Sequence, residues 1–241
     1  NGLEYGSLYY FCGGTEKHPY VIRTTAELDK LASDVNSGNI YAGKYFELGA
    51  DITYDGSENN FTPIGDNYHR FSGHFDGKGH KVSGIYINQP SGFSAGLFGF
   101  IESGSVKNLT LTNSTIIGYN PVSGIVGSAN GTTIENCHVA SDVTINGTAD
   151  NVGAIAGYLY TSTVRGCTSA ATVSGTQFIG GIVGANNSST IQDCLYTGNS
   201  VTASSTLVGA IVGYNEGGDA KLTNNYHTCS SMGGVGGVDS S

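Results

Sequence analysis

Apolar residues recur along this chain in short runs bounded by glycine, and one such run returns at a near-constant interval. Gly-Leu-Phe-Gly at 96–99 comes back as Gly-Ile-Val-Gly at 124–127, Ala-Ile-Ala-Gly at 154–157, Gly-Ile-Val-Gly at 181–184 and Ala-Ile-Val-Gly at 210–213. The closing glycines stand 28, 30, 27 and 29 residues apart. A second anchor travels with the first, an apolar residue followed two places on by a polar or small one: Val106/Asn108, Ile134/Asn136, Val164/Gly166, Ile191/Asp193 and Leu222/Asn224. The two anchors are seven residues apart in four copies and nine in the last, where Gly217 and Gly218 read as an insertion. Self-similarity at such a period is the signature of a solenoid, in which each repeat stacks on its neighbours. About three short strands and three turns per unit make the predicted fold an all-β, single-stranded parallel β-helix of about 27–31 residues per coil. Right-handedness follows from the general preference of parallel crossovers.

Stacking the coils predicts the core. Equivalent positions form ladders along the axis at the strand spacing of about 4.8 Å. The inward ladders are Leu97/Ile125/Ile155/Ile182/Ile211, Val106/Ile134/Val164/Ile191/Leu222 and Leu109/Cys137/Cys167/Cys194/Asn225. Gly99, Gly127, Gly157, Gly184 and Gly213 read as a corner that must turn without a Cβ. Beside it, Asn108, Asn136, Asp193 and Asn224 are expected to hydrogen-bond along the stack or close the turn.

The first third of the chain is different. Tyr5, Tyr9, Tyr10 and Phe11 suit a short strand or a cover over one end. From Thr24 a capping box with Glu27 precedes Leu28, Leu31, Ala32 and Val35 at helical spacing, and Asn36-Ser-Gly38 ends the run. A solenoid exposes apolar cross-section and unpaired strands at its end, so an amphipathic helix there reads as an N-terminal cap. The expected organisation is an N-terminal strand and cap over 1–45, irregular first coils over 46–95, five repeats over 96–230, and a tail over 231–241 leading onward.

Composition fits an exported protein. Thirty-eight glycines, no Trp and one Met leave few helix formers. Ten basic against 19 acidic residues give a formal charge of −9 without any basic run, which argues against nucleic acid as a partner. No apolar stretch is long enough for membrane insertion, and the chain opens on Asn1 rather than on a signal peptide. The five cysteines leave one over, and Cys137, Cys167 and Cys194 read as small buried thiols, whereas Cys12 and Cys229 fall at opposite ends.

Candidate chemistry is sparse. The six histidines form no His-Glu-x-x-His, and Gly92-Phe-Ser94-Ala-Gly96 matches a nucleophile elbow in string but lacks its strand-to-helix setting. Glu102, Glu135, Asp142, Asp150, Asp193, Glu216 and Asp219 occupy different repeat positions, unlike the paired acids of a glycosidase. Asp66, His69, Arg70, His74, Asp76 and His80 make one dense polar cluster, read first as a solvated loop. Thr115, Thr144, Thr172 and Thr202 drift in register, while Ser105, Thr133, Thr163 and Thr190 keep it, so a flat ice-binding array is not expected. The tail Gly233 to Asp239 matches a calcium-binding nonapeptide poorly and once only. The expectation is no metal, no cofactor and no catalysis.

The repeats, the helix setting of residues 19–52 and the stretch Phe71-Ser-Gly-His-Phe-Asp-Gly-Lys-Gly-His-Lys-Val-Ser-Gly-Ile-Tyr-Ile87 together resemble the GLUG-repeat proteins across about residues 13–230. The resemblance implies a bacterial cell-surface or secreted β-solenoid, often from Bacteroidetes, of adhesin type or accompanying IgA-specific metallopeptidases. Tyr119, Tyr158, Tyr160, Tyr196 and Tyr214, near the turns, are the candidate contacts for a glycan or extracellular protein, with ordinary surface packing as the plainer reading. A structural stalk with end-to-end self-association is the competing expectation, and a carbohydrate-active β-helix enzyme a lesser one.

Overall fold

The computed structural model describes residues 13–217 and 219–238. The strand or cover expected around Tyr5 to Phe11, Cys12 and the end of the tail lie outside them. The chain winds into a parallel β-solenoid of about seven turns with one helix near its start. Each regular coil carries five short strands rather than three. One turn runs Phe98–Glu102, Ser105–Lys107, Thr110–Thr112, Thr115–Gly118 and Asn120–Ser123. Stacked in register, these give five parallel sheets, numbered 1 to 5 in that order, with six, eight, seven, five and five strands. The Gly-Leu-x-Gly anchor is not one strand, because the chain passes from sheet 5 to sheet 1 within it.

Helix α1, Thr25–Asn36, is capped as its sequence requires: Glu27 N–H donates to Thr24 Oγ1 and the Glu27 carboxylate accepts the Thr24 N–H. Leu28, Leu31, Ala32 and Val35 are buried against the irregular first coils. Polar bonds fix the helix there. Asn36 Nδ2 donates to Pro63 O at 3.0 Å, its Oδ1 accepts from Gly65 N–H at 2.9 Å, and Tyr54 OH donates to Asp29 at 2.7 Å. Beneath it, Ile64 and Phe71 bridge in parallel to Phe98 and Ile101, so the irregular segment already follows sheet 1.

The predicted inward ladders are buried, except that Leu222 and Asn225 in the last coil are half-exposed. The glycine ladder needs a correction. Gly99, Gly127, Gly157, Gly184 and Gly213 lie inside sheet 1 strands and none has a left-handed backbone. Proximity is what excludes a side chain: a Cβ on Gly127 would stand 2.7 Å from the Gly99 carbonyl oxygen, and one on Gly184 2.5 Å from that of Gly157. A left-handed corner is instead made by the asparagine ladder at the far end of sheet 2, with φ of 54° at Asn108, 50° at Asn136, 61° at Gly166, 55° at Asp193 and 52° at Asn224. Short polar side chains and glycine tolerate that conformation best. Asn136 Nδ2 also donates to Asn108 Oδ1 at 2.8 Å, and Asn108 Nδ2 to Asp76 at 2.9 Å, so this ladder both turns the chain and bonds along the stack until Gly166 interrupts it.

Three further left-handed ladders mark the other bends: Ser103/Gly131/Thr161/Ser188/Gly217, Gly56/Gly84/Asn113, and Ser94/Asn151/Phe178/Leu207. Bulky Phe178 and Leu207 pay about 1–2 kcal/mol each for that backbone.

At three of these corners the residue after the left-handed one turns inward and does the same work. Thr132 N–H donates to Ser162 Oγ of the next coil at 3.1 Å, and Ser162 N–H to Ser189 Oγ at 2.8 Å. Ser162 Oγ in turn donates to Tyr160 O, two residues back, at 2.8 Å. Cysteine repeats the device one corner on: Cys137 N–H donates to Cys167 Sγ at 3.4 Å, and Cys167 Sγ donates to Arg165 O at 3.4 Å. Asn225 Oδ1 takes over below, accepting from Cys194 N–H at 3.0 Å, and Ser114 Oγ serves Ile85 N–H at 3.2 Å at a third corner. Cys137, Cys167 and Cys194 are free and fully buried, and burial pushes the Cys167 thiol well up.

Ser162→Ala leaves the buried Thr132 N–H without its acceptor. It is expected to lower the unfolding free energy in urea melts by about 1–3 kcal/mol, and Ser162→Thr to recover most of that. An alanine variant as stable as the parent would contradict the role given to the hydroxyl.

Candidate functional site

Three of the five candidate tyrosines meet on the outer face of sheet 1. In-register pairing stacks Phe100, Ser128, Tyr158, Ala185 and Tyr214 in one row, and Glu102, Asn130, Tyr160, Asn187 and Glu216 in the row beside it. Large rings therefore alternate with small residues in the first row. The second row is symmetric in residue type about Tyr160, and it corrects the reading of the acids as scattered over different repeat positions, since Glu102 and Glu216 share one position four coils apart. Ser128 and Ala185 are buried between their larger neighbours, Tyr158 and Tyr214 are half-buried, and Tyr160 is 47% exposed.

Hydrogen bonds and stacking hold this face in shape. Arg70 lies 4.4 Å over the Phe100 ring and 2.6 Å from Glu102, and Asn130 Nδ2 donates to the same carboxylate at 3.1 Å. Asn187 Nδ2 donates to Tyr158 OH at 3.3 Å and to Glu216 at 3.1 Å. Burial raises the Tyr158 hydroxyl above its ordinary pKa, with the Asn187 bond acting against it, so the phenol stays neutral at ordinary pH. Phe178 packs on Tyr214 with ring centroids 4.9 Å apart.

The other two tyrosines go elsewhere. Tyr119 is 41% exposed but stands past sheet 4, edge-on to exposed Phe93 at 5.6 Å. Tyr196 is fully buried, and its candidacy as a surface contact is corrected. In sheet 3 it continues the inward column Leu111/Val139/Ser169, filling space beside Ser169, Gly181 and Gly198 and donating its hydroxyl to Ala171 O at 3.0 Å. Its position two residues after the inward Cys194 was the available signal. Phe100 and Asn187 were missed because neither stands out before the coils are aligned strand by strand.

The polar cluster at 66–80 disperses. Asp66 closes its own loop on the Tyr68 and His69 N–H groups at 2.7 Å, and His74 stacks on Tyr45 and meets Ser105 Oγ at 3.0 Å. Asp76 pairs with Lys107 at 3.6 Å, and His80 with Asp51 at 2.9 Å. Sheet 2 thus carries an outer row of alternating charge, which Glu135 and Arg165 continue at 2.8 Å. Ser94 is buried with its hydroxyl on Asn67 Oδ1 at 3.2 Å. Thr115, Thr144 and Thr172 share a row on sheet 4, whereas Thr202 pairs with Ser174 in the next. Among the described residues no group of three or more His, Cys, Asp or Glu is arranged to hold a metal, and no helix is long and apolar enough to cross a membrane.

No known family's sequence profile matches the chain. It is 37% identical over 133 residues to a protein of Evansella cellulosilytica named as a Gly-rich membrane protein, covering 52% of this chain and 15% of that one. It is 31% identical over 155 residues to Halomucin of Haloquadratum walsbyi, covering 61% of this chain and 2% of that one. The chain thus spans a small part of the length of these relatives. Its fold is that of a crystal structure from Bacteroides ovatus named as an immunoglobulin A1 protease, with a TM-score of 0.65, 23% identity, and 91% of this chain and 77% of that one covered.

Proposed function

We propose that this chain is a non-catalytic, exported surface module of the GLUG-repeat type, adhesin-like, that recognises a glycan or an extracellular protein along the side of the solenoid. The observation that carries the reading is the sheet 1 face, where Tyr158, Tyr160 and Tyr214 stand among Asn130, Asn187, Glu102 and Glu216 on strands held in register. Aromatic rings with nearby amides supply apolar contact and hydrogen bonding together, which suits sugar or protein surfaces. Cell-surface or extracellular placement accords with relatives named as a Gly-rich membrane protein and Halomucin. Relatives many times longer than this chain favour one second reading, a stalk or spacer within a long surface protein or the accessory repeats of an IgA-type peptidase.

The test is binding of the purified chain to immobilised glycans and extracellular matrix proteins, with salt varied and light scattering to exclude aggregation. Specific, saturable binding weakened by Tyr160→Ala is expected. Silence from a folded monomer would favour the spacer.

Stability separates the tyrosines independently of any ligand. In urea melts Tyr196→Ala is expected to cost about 3–5 kcal/mol, as for a large core side chain, and Tyr160→Ala no more than about 0.5 kcal/mol. Equal costs would contradict the burial pattern.

A further inference from the structure

Two regularities of the sheet 1 face go beyond the presence of aromatic residues. Phe100, Tyr158 and Tyr214 occupy the same row on every second coil, with Ser128 and Ala185 between them. Adjacent parallel strands are about 4.8 Å apart, so successive rings repeat at roughly 10 Å along the axis. That is close to the length of two sugar units in an extended β-linked chain. The neighbouring row places Asn130, Tyr160 and Asn187 on consecutive coils, where amides and a phenol can both donate to and accept from sugar hydroxyls.

Charge narrows the ligand further. Glu102 and Glu216 stand at the two ends of the row, Arg70 is already paired to Glu102, and the chain carries −9 overall. A polyanion would be repelled. The periodicity also favours a repeating polymer over a globular protein without internal repeats, whose surface has no reason to match every second strand. Prior fixing of Tyr158 by Asn187 reduces the ordering cost on binding.

We propose that sheet 1 binds a linear, uncharged polysaccharide laid along the solenoid axis, in contact on every second coil with the half-buried rings of Phe100, Tyr158 and Tyr214, which Arg70, Asn187 and Phe178 hold in place. The proposal rests on the recognition reading given above and names its ligand class.

The experiment is affinity gel electrophoresis of the chain against uncharged glucans, mannans, xylans and galactans, followed by calorimetry with oligosaccharides of the best binder from disaccharide to hexasaccharide. Affinity is expected to climb with length up to the hexasaccharide, which spans all three rings. Tyr158→Ala should weaken hexasaccharide binding about tenfold or more, the loss of an aromatic anchor, while Tyr158→Phe keeps the ring and most of the affinity. Heparin should not compete. Thermal melts confirm that each variant is folded. Length-independent affinity, indifference to Tyr158→Ala, or binding confined to polyanions or matrix proteins would overturn the axial polysaccharide while leaving recognition standing. Failure to bind any polysaccharide or protein would overturn both.

Discussion

Everything in this molecule depends on one constraint: the interior of a narrow coil is buried under its own apolar side chains, so every backbone group that turns inward must find its partner in the coil before or after. Along the strands the parallel ladders meet that demand. At the bends the left-handed residues still donate to the next coil's backbone, as Asn108 N–H does to Glu135 O and Gly131 N–H to Tyr160 O, but the N–H one residue further on turns to a side chain. Ser114, Ser162, Ser189, Cys167 and Asn225 fill the gap, each accepting an N–H from the previous coil. The same requirement accounts for the small or polar residues Ser114, Thr132, Ser162, Ser189, Cys137, Cys167, Cys194 and Asn225 after left-handed positions, in a core otherwise built largely of Ile, Val and Leu. A hydrogen bond left unmade there would cost more than a made one contributes.

Once the coils are locked in register, the outside becomes a set of straight rows. Sheet 2 uses its rows for ion pairs such as Glu135 with Arg165, a self-contained pattern that leaves little for a ligand. Sheet 1 uses them differently, with rings on alternate coils and amides alongside. The glycine ladder serves that face too. By letting the backbone lie against the previous coil's carbonyls, Gly127, Gly157 and Gly184 bring the strands of sheet 1 close under the corner that precedes them. The function proposed for the side of the solenoid therefore follows from the same stacking rule that builds its interior.

Period, core ladders and the capped helix were legible in the residues, because each rests on a local signal: glycine spacing, apolar recurrence, and Thr24 with Glu27. Counting strands was not. Strands of two to five residues carry too little alternation to be separated, so the five of each coil merge into three. Glycine was assigned the corner because it is the residue most tolerant of positive φ, yet here it answers to close approach, while asparagine takes the left-handed bend. Tyr196 was misplaced for a related reason: aromatic residues near turns look exposed until the inward column through Leu111, Val139 and Ser169 is traced. Tyr158, Tyr160 and Tyr214 were visible singly, but their common face depends on strand register, which no single repeat reveals.

The most direct measurement is amide hydrogen exchange resolved residue by residue. The account predicts that the N–H groups of Ile85, Thr132, Cys137, Ser162 and Cys194 exchange as slowly as those of the flanking strands, since each is bonded to a side chain of the next coil. Exchange at these corners as fast as in open loops, with the strands still protected, would contradict it.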